Sequence, residues 1–143
     1  MRTKPIAADR HLQISCAAVV SRAIGRTTWA IPEGYIPPAG RTTSRELVSH
    51  ETACLLNTGD QDAHVSIMIY FTTREPIGPY RIVVPARRTL HLRFNDLSDP
   101  EPIPHGTDYS SLIESDVPIV VQHTRLDSRQ ADEALLTTIA YSQ

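Results

Sequence analysis

The stretch Ala63-His64-Val65-Ser66-Ile67-Met68-Ile69-Tyr70-Phe71 decides the fold class, because its apolar residues alternate with a period of two. Val65, Ile67 and Ile69 fall on one face of an extended chain, and a partly polar set falls on the other. This alternation predicts a β-strand with one face in a core. The strand therefore needs partner strands on either side.

Further short runs rich in β-branched and aromatic residues flank this strand, separated by Pro, Gly, Asn and Asp. Thr58–Asp62 is suited to a hairpin connection between the strand Glu46–Asn57 and the strand Ala63–Phe71. Helical propensity offers an alternative at Asp132–Leu136. The other predicted strands are Arg26–Ile31, Tyr80–Val84, Thr89–Phe94, Ile119–Leu126 and Leu135–Tyr141; the predicted irregular segments are the proline-rich Pro32–Pro38, the polar loop Ala39–Arg45 and the long loop containing Pro100, Pro102 and Pro104.

Close spacing of short strands leaves little room for helical crossovers, so the pattern predicts a single-domain all-β protein, a β-sandwich or jelly-roll-like barrel. A chain of 143 residues is long enough for one core. Residues 24–143 form the predicted domain. We expect residues 1–23 to be an N-terminal extension, either disordered or produced by a mis-assigned start.

Charge and composition exclude several classes of protein. The formal net charge of −2 gives no global positive field for nucleic acid or anionic lipid, and no apolar run approaches the length of a bilayer span. Cys16 and Cys54 lie in different contexts, and we expect no disulfide and a reducing, cytoplasmic location. These features describe an ordinary globular protein.

Catalytic and metal-binding patterns are weak. His50 with Glu51, and His91, His105 and His123, offer imidazole and carboxylate ligands, but their spacing matches no metal motif. Neither a nucleophile motif nor a phosphate-binding glycine loop occurs, and Cys54 is expected to be an inert, buried thiol. We therefore expect no enzyme activity, metal or cofactor; an isomerase or metal-dependent hydrolase is the remaining alternative.

Two polar clusters invite a binding function. Arg87, Arg88 and Arg93, with His91, form a basic stripe that suits either a solvated or oligomer-interface surface or a nucleic-acid patch. The segment His123–Arg129 is dense in charged groups at the end of an apolar strand, which fits a polar ligand with Trp29 or a tyrosine as an apolar platform. An inter-strand salt-bridge network, for example Arg125 with Asp127 or Glu51, fits it equally well.

From Ile24 onward the sequence resembles the soluble sensory rhodopsin transducers, a family first associated with a cyanobacterial sensory rhodopsin. The resemblance covers nearly everything after the N-terminal extension. It is carried by Gly25–Pro38, Ser49–Thr52, Asn57–Asp60, Asp62–Val65, Glu75–Arg81, Val84–Thr89, Arg93–Leu97, Pro102–His105 and Val117–Gln130. The extension and the short C-terminus ending at Gln143 depart from the family pattern.

The resemblance implies a β-sandwich that assembles as a four-fold homotetramer, lacks enzymatic activity, carries a signal and binds a small molecule, most simply a sugar. Docking on a membrane sensory rhodopsin and DNA binding through Arg87, Arg88 and Arg93 are the alternatives. The candidate ligand-binding residues are Trp29, Glu33, His50, Glu51, Asn57, Arg93, Asn95, His123 and Arg125.

Overall fold

The structure is a computed structural model that describes residues 22–38, 44–129 and 134–143, and every strand pair in these ranges is antiparallel. No α-helix occurs within the described ranges. The all-β prediction is confirmed. The strands are β1 Arg26–Tyr35, β2 His50–Asn57, β3 Ala63–Phe71, β4 Ile77–Val84, β5 Arg88–Arg93, β6 Asp108–Asp127, β7 Ala134–Ile139 and β8 Tyr141–Ser142.

Strand β6 connects the two halves of the fold, because its 20 residues form one continuous strand that pairs with two groups of strands. Its first half pairs with β1 and β3, which carry β8 and β4 on their outer sides. Its second half pairs with β2 and β7, and β2 carries β5. The result is an open antiparallel sheet of eight strands in which both halves contribute to one core.

The prediction that the strand begins at Ile119 after a long loop is wrong, since β6 already begins at Asp108. Tyr109, Ser111, Ile113 and Ser115 are all buried, so the period of two continues through this segment. Serines at inward positions hide the alternation when only apolar residues are counted.

The predicted hairpin between β2 and β3 is also wrong. β3 pairs with β4 and β6, whereas β2 pairs with β5 and β6. The connection Thr58–Asp62 therefore crosses between the two halves of the sheet. Buried Asn57 organises the crossing, because its Nδ2 donates to the carbonyls of Gln61 (2.8 Å), Val84 (3.0 Å) and Pro85 (3.3 Å), while its Oδ1 accepts from Gly59 N (2.9 Å).

Strand β1 continues past its predicted end at Ile31. A register shift between Ile31 and Gly34 accommodates Pro32, whose carbonyl accepts a hydrogen bond from Ser110 Oγ at 2.7 Å. On the other side of β1, β8 pairs only with Trp29 and Ala30. Pro32 can therefore lie in the strand without removing a ladder hydrogen bond.

Other predicted boundaries shift by a few residues. β2 begins at His50 rather than Glu46, because Leu47 N and Val48 N both donate to Ser44 O and form a turn. Phe94 begins a 3-10 turn, Phe94–Asp96, instead of ending β5. The helical alternative at Asp132–Leu136 falls partly outside the described residues, and from residue 134 the chain is strand β7.

The core is formed by apolar side chains from both halves of the sheet. Rings of Phe94 and Tyr109 meet across it with centroids 6.1 Å apart. The predicted core face of β3 is confirmed, since Val65, Ile67 and Ile69 are buried. Residues 1–21 and 39–43 lie outside the described ranges, so the extension, the boundary at residue 24 and most of the predicted loop Ala39–Arg45 stay predictions.

Replacing Asn57 by Asp should lower the free energy of unfolding by about 3 kcal/mol, because an isosteric carboxylate cannot donate to the carbonyls that the amide now serves. Chemical denaturation measures this. Gln61→Glu makes the same amide-to-acid change at an exposed side chain and should have little effect. Equal stability of the two variants would contradict this role for Asn57.

Candidate functional site

A buried carboxylate, Glu51, is the centre of the only charged network that reaches the core in the described parts of the chain. Its side chain is fully buried on the inward face of β2. A buried ionised carboxyl is costly unless charged or hydrogen-bonding groups surround it. Here those groups come from β6.

Three side chains of β6 contact the Glu51 carboxylate. Arg125 Nε donates to Oε1 at 2.8 Å, and Arg125 Nη2 lies 2.7 Å from the same oxygen. His123 Nε2 lies 3.1 Å from Oε1, and since a carboxylate only accepts, this nitrogen carries the proton. The hydroxyl of Tyr109 donates to Oε2.

The register of the sheet explains why these residues meet. Glu51 lies directly opposite Arg125 in the β2–β6 ladder, and His123 is two residues away on the same face of β6. Tyr109 comes from the first half of β6 and reaches Glu51 across the core. The carboxylate therefore joins the two halves of the sheet.

Glu33 extends this network to the surface. Arg125 Nη1 donates to Glu33 Oε1 at 2.7 Å, and the Glu33 side chain is 66% exposed against 16% for Arg125. The Arg125 guanidinium also lies 5.9 Å from the ring centre of Tyr35. One arginine thus links a buried carboxylate on β2 to an exposed one on β1.

A groove of about 290 Å³ opens beside Glu33. Glu33 and Tyr109 belong both to the groove lining and to the network. The lining also offers an exposed aromatic ring, a second carboxylate and hydroxyl groups; it consists of Pro32, Glu33, Gly34, Tyr70, Phe71, Thr72, Asp108, Tyr109 and Ser110. Aromatic faces next to hydrogen-bonding groups are suited to a small polyhydroxylated ligand.

The contacts around Glu51 set its protonation state. Burial acts to raise the pKa of the Glu51 carboxyl, but the hydrogen bonds, that of His123 first among them, outweigh burial and hold the pKa below its ordinary value. Burial and the neighbouring Glu51 charge raise the pKa of the Tyr109 hydroxyl, which therefore stays protonated and donates. Glu51 is accordingly an anion at neutral pH.

The structure brings together four of the nine predicted site residues, namely Glu33, Glu51, His123 and Arg125. Asn95 adjoins them, since its Oδ1 accepts from Glu51 N at 3.1 Å. Its Nδ2 donates to Ser49 O at 3.2 Å. Asn95 therefore fixes the backbone on which Glu51 is carried.

The other four predicted residues lie elsewhere. Trp29 is buried in the core, and its Nε1 donates to Arg26 O. Asn57 holds the crossing connection, as described above. His50 and Arg93 line a separate groove on the outward face of β2 and β5.

Of the two interpretations of the segment His123–Arg129, the structure shows the inter-strand salt-bridge network; the polar-ligand site stays a prediction. Arg125 pairs with Glu51, while Asp127 pairs with Arg129 at 2.6 Å. The inter-strand network is thus real, and it also reaches a groove through Glu33. Tyr109 and Asp108 were not predicted from the sequence, because they lie in the segment predicted as a loop. The signal that could have identified them is the alternation of inward and outward residues, which continues before Ile113.

The described residues do not form the other candidate sites, which were a metal site, a reactive thiol and a basic patch. Within the described ranges, no group of three or more His, Cys, Asp or Glu side chains is placed to hold a metal ion. Cys54 is half-buried rather than fully buried, and burial raises the pKa of its thiol, which favours the unreactive protonated form. Arg87 and Arg88 lie at one end of β5 and Arg93 at the other, and an extended strand separates Arg88 from Arg93 by about 16 Å.

Replacing Glu51 by Gln should lower the free energy of unfolding at pH 7 by about 3 kcal/mol, because Arg125 loses a buried counter-charge. Because folding lowers the pKa of the Glu51 carboxyl, the ionised carboxylate stabilises the fold fully above its unfolded-state pKa, roughly 4.3. This contribution is lost as the pH falls through the lower pKa of the folded state. Denaturation between pH 7 and 3 should therefore show a smaller difference between the two proteins at acid pH.

Glu114→Gln is the matched control, since Glu114 is an exposed glutamate on β6. A Glu51→Gln cost that is no larger than the control's, or that grows as the pH falls, would contradict the ionised buried carboxylate.

Comparison with known proteins identifies relatives over most of the chain. The family model described as Anabaena sensory rhodopsin transducer matches residues 24–142. Among solved structures, the Anabaena sensory rhodopsin transducer is 64% identical, with a TM-score of 0.65, covering 72% of this chain and 100% of its own. The crystal structure of Thermotoga maritima 1070 is 38% identical, with a TM-score of 0.74, covering 83% of this chain and 96% of its own. A comparison with curated proteins returns no match.

The family match agrees with the features on which the resemblance was based, since residues 24–142 extend from the first strand to the last. Among the described residues, no helix has the length and apolar character needed to cross a bilayer. The family match covers well over half of the sequence. The chain therefore belongs to the Anabaena sensory rhodopsin transducer family, a family of signalling proteins.

Proposed function

We propose that this chain is a non-enzymatic sensor that binds a small polyhydroxylated ligand, such as a sugar, in the groove beside Glu33 and relays its occupancy to a partner protein. The observation that carries the proposal is the continuity between this groove and the buried network. Glu33 lines the groove and bonds to Arg125, which bonds to Glu51. A ligand that competes for Glu33 changes the surroundings of a buried charge.

The groove lining supports a polyol rather than an apolar ligand. Tyr70 is 43% exposed and offers a ring face. The Arg74 guanidinium lies over the ring of Phe71, 4.9 Å from the ring centre. Carboxylates of Glu33 and Asp108 accept hydrogen bonds from hydroxyl groups, and the aromatic rings cover the apolar C–H face of a sugar.

The absence of an enzymatic role is part of the proposal. Arg125 is shared between two carboxylates, and Glu51 and His123 are buried in the core and do not line the groove. A general base must reach a proton of its substrate. Groups that hold the charge of Glu51 in place can relay a change in the groove, and they do not transform a substrate.

Two partners fit this role. The family match and the 64% identity to the Anabaena sensory rhodopsin transducer support docking of this chain on a membrane sensory rhodopsin in the cytoplasm. DNA is the weaker alternative, because Arg87 and Arg88 are separated from Arg93 along β5. A binding titration with membranes that contain the receptor distinguishes the two.

A homotetramer is also part of the proposal. β7 pairs with β6 on one side, and no described strand pairs with its other side. It presents Leu135 (68% exposed), Leu136 (43%) and Ile139 (61%). Exposed apolar edge strands are usually covered by a partner, and a second copy of the chain would cover this one.

The ligand proposal predicts that at least one neutral monosaccharide in a panel raises the melting temperature. A ligand at 100 times its Kd stabilises the native state by about 2.7 kcal/mol, or several degrees for a domain of this size. Tyr70→Ala should remove the shift, whereas Tyr141→Ala, at another exposed tyrosine, should retain it. No shift with any sugar at millimolar concentration, or equal shifts in both variants, would rule out this groove.

The assembly proposal predicts a mass of four chains in light scattering after size-exclusion chromatography. Ile139→Asp should reduce the mass, because it buries a charge in the proposed interface. Val83→Asp introduces the same charge at an exposed β-branched residue on β4 and should leave the mass unchanged. A monomeric wild-type protein would overturn the assembly but not the ligand site.

A further inference from the structure

A second groove lies on the face of β2 that points away from the core. On β2, Glu51 and Ala53 point inward, so His50, Thr52 and Cys54 point outward. Thr52 lies opposite Arg93 on β5 and Thr124 on β6, and Cys54 lies opposite His91. The resulting concave space has a volume of about 350 Å³ and is lined by Glu46, His50, Thr52, Cys54, His91, Arg93 and Thr124.

The lining is chemically distinct from that of the groove beside Glu33. It contains no Phe, Tyr or Trp ring and no aliphatic side chain, and all seven side chains can form hydrogen bonds. The two grooves share no residue. The side chains of this second groove therefore offer charge and hydrogen bonds to a ligand.

Arg93 is the dominant charge in the second groove, and it has no carboxylate within ion-pair distance among the described residues. Its Nη1 donates to Arg45 O at 2.7 Å and its Nη2 to Val48 O at 3.4 Å. Its Nε is buried without a hydrogen-bond partner in the structure. Only neutral backbone carbonyls accept hydrogen bonds from this guanidinium.

The nearest acidic groups are engaged by other residues. Asp96 forms an ion pair with Arg45 at 2.6 Å, and Glu46 Oε2 accepts from Ser44 Oγ at 2.6 Å. Burial, followed by the charge of Arg45, lowers the pKa of the Arg93 guanidinium, as expected for a cation that lacks full compensation.

His50 is oriented by the same turn that holds Arg93. Its Nδ1 lies 2.7 Å from Val48 O, and because a carbonyl only accepts, Nδ1 carries the proton. The carbonyl of Val48 thus fixes both the imidazole and the guanidinium. Preorganised side chains of this kind lose little freedom on binding.

We propose that this second groove binds a small ligand through an oxyanion group, a phosphate or a carboxylate, held by Arg93 and the neighbouring hydroxyls of Thr52 and Thr124. A guanidinium fork matches the geometry of both oxyanions. This site is independent of the proposed sugar groove, so either can fail without the other.

Glu46 provides a test that does not depend on damaging the site. Its carboxylate lies at the groove and repels an anion, so Glu46→Gln should tighten the binding of inorganic phosphate by about fivefold. Glu114→Gln removes an exposed negative charge from the other half of the sheet and should leave the affinity unchanged. Isothermal titration calorimetry at constant ionic strength measures both.

Loss of the guanidinium is the complementary test. Arg93→Gln should weaken phosphate binding at least tenfold, whereas Arg88→Gln, at the exposed opposite end of β5, should not. Acetate titrated in parallel distinguishes the two oxyanions, because the proposal requires saturable binding of at least one. Absence of saturable binding of both probes, or phosphate binding that is unchanged in both Glu46→Gln and Arg93→Gln, overturns the proposal.

Discussion

The ion pair between Glu51 and Arg125 is the interaction on which the rest of the structure depends. A carboxylate in a fully buried position requires a positive charge and hydrogen-bond donors at fixed places, and these come from both halves of β6. The strand can supply them only if it runs unbroken from Tyr109 to Arg125. Compensation of the Glu51 charge and the topology of the sheet thus both require β6 to be one continuous strand.

This arrangement also explains how a surface event can reach the core. Arg125 is shared between an exposed carboxylate, Glu33, and a buried one, Glu51, so a change at the first alters the balance at the second. The backbone N–H of Glu51 in turn donates to Asn95, which lies in the 3-10 turn that follows β5. The path from groove to core uses charged contacts, whose energies are large away from bulk water and extend over longer distances than apolar packing does. A signalling protein requires a connection of this kind.

The sequence predicted the fold class and much of the network, for identifiable reasons. Alternation in β3 indicated a strand with one buried face, and the density of charge around Arg125 indicated a site. The pairing of β2 with β5 and β6 could not be predicted, because the loop Thr58–Asp62 has hairpin composition and its crossing depends on the long-range contacts of Asn57. Tyr109 was missed since inward serines masked the start of β6. His50 and Glu51 separated, the first to the second groove and the other to the buried network, because neighbours in a strand point to opposite faces.

We propose that occupancy of the groove beside Glu33 changes the surroundings of Arg125, and the NMR resonance of the Arg125 Nε–H group reports this change most directly. During titration with a monosaccharide that binds, this resonance should move and saturate with the same Kd as the resonances of the groove residue Tyr70. A ligand that saturates the groove while the Arg125 resonance stays fixed would show that the groove and the buried network are not coupled.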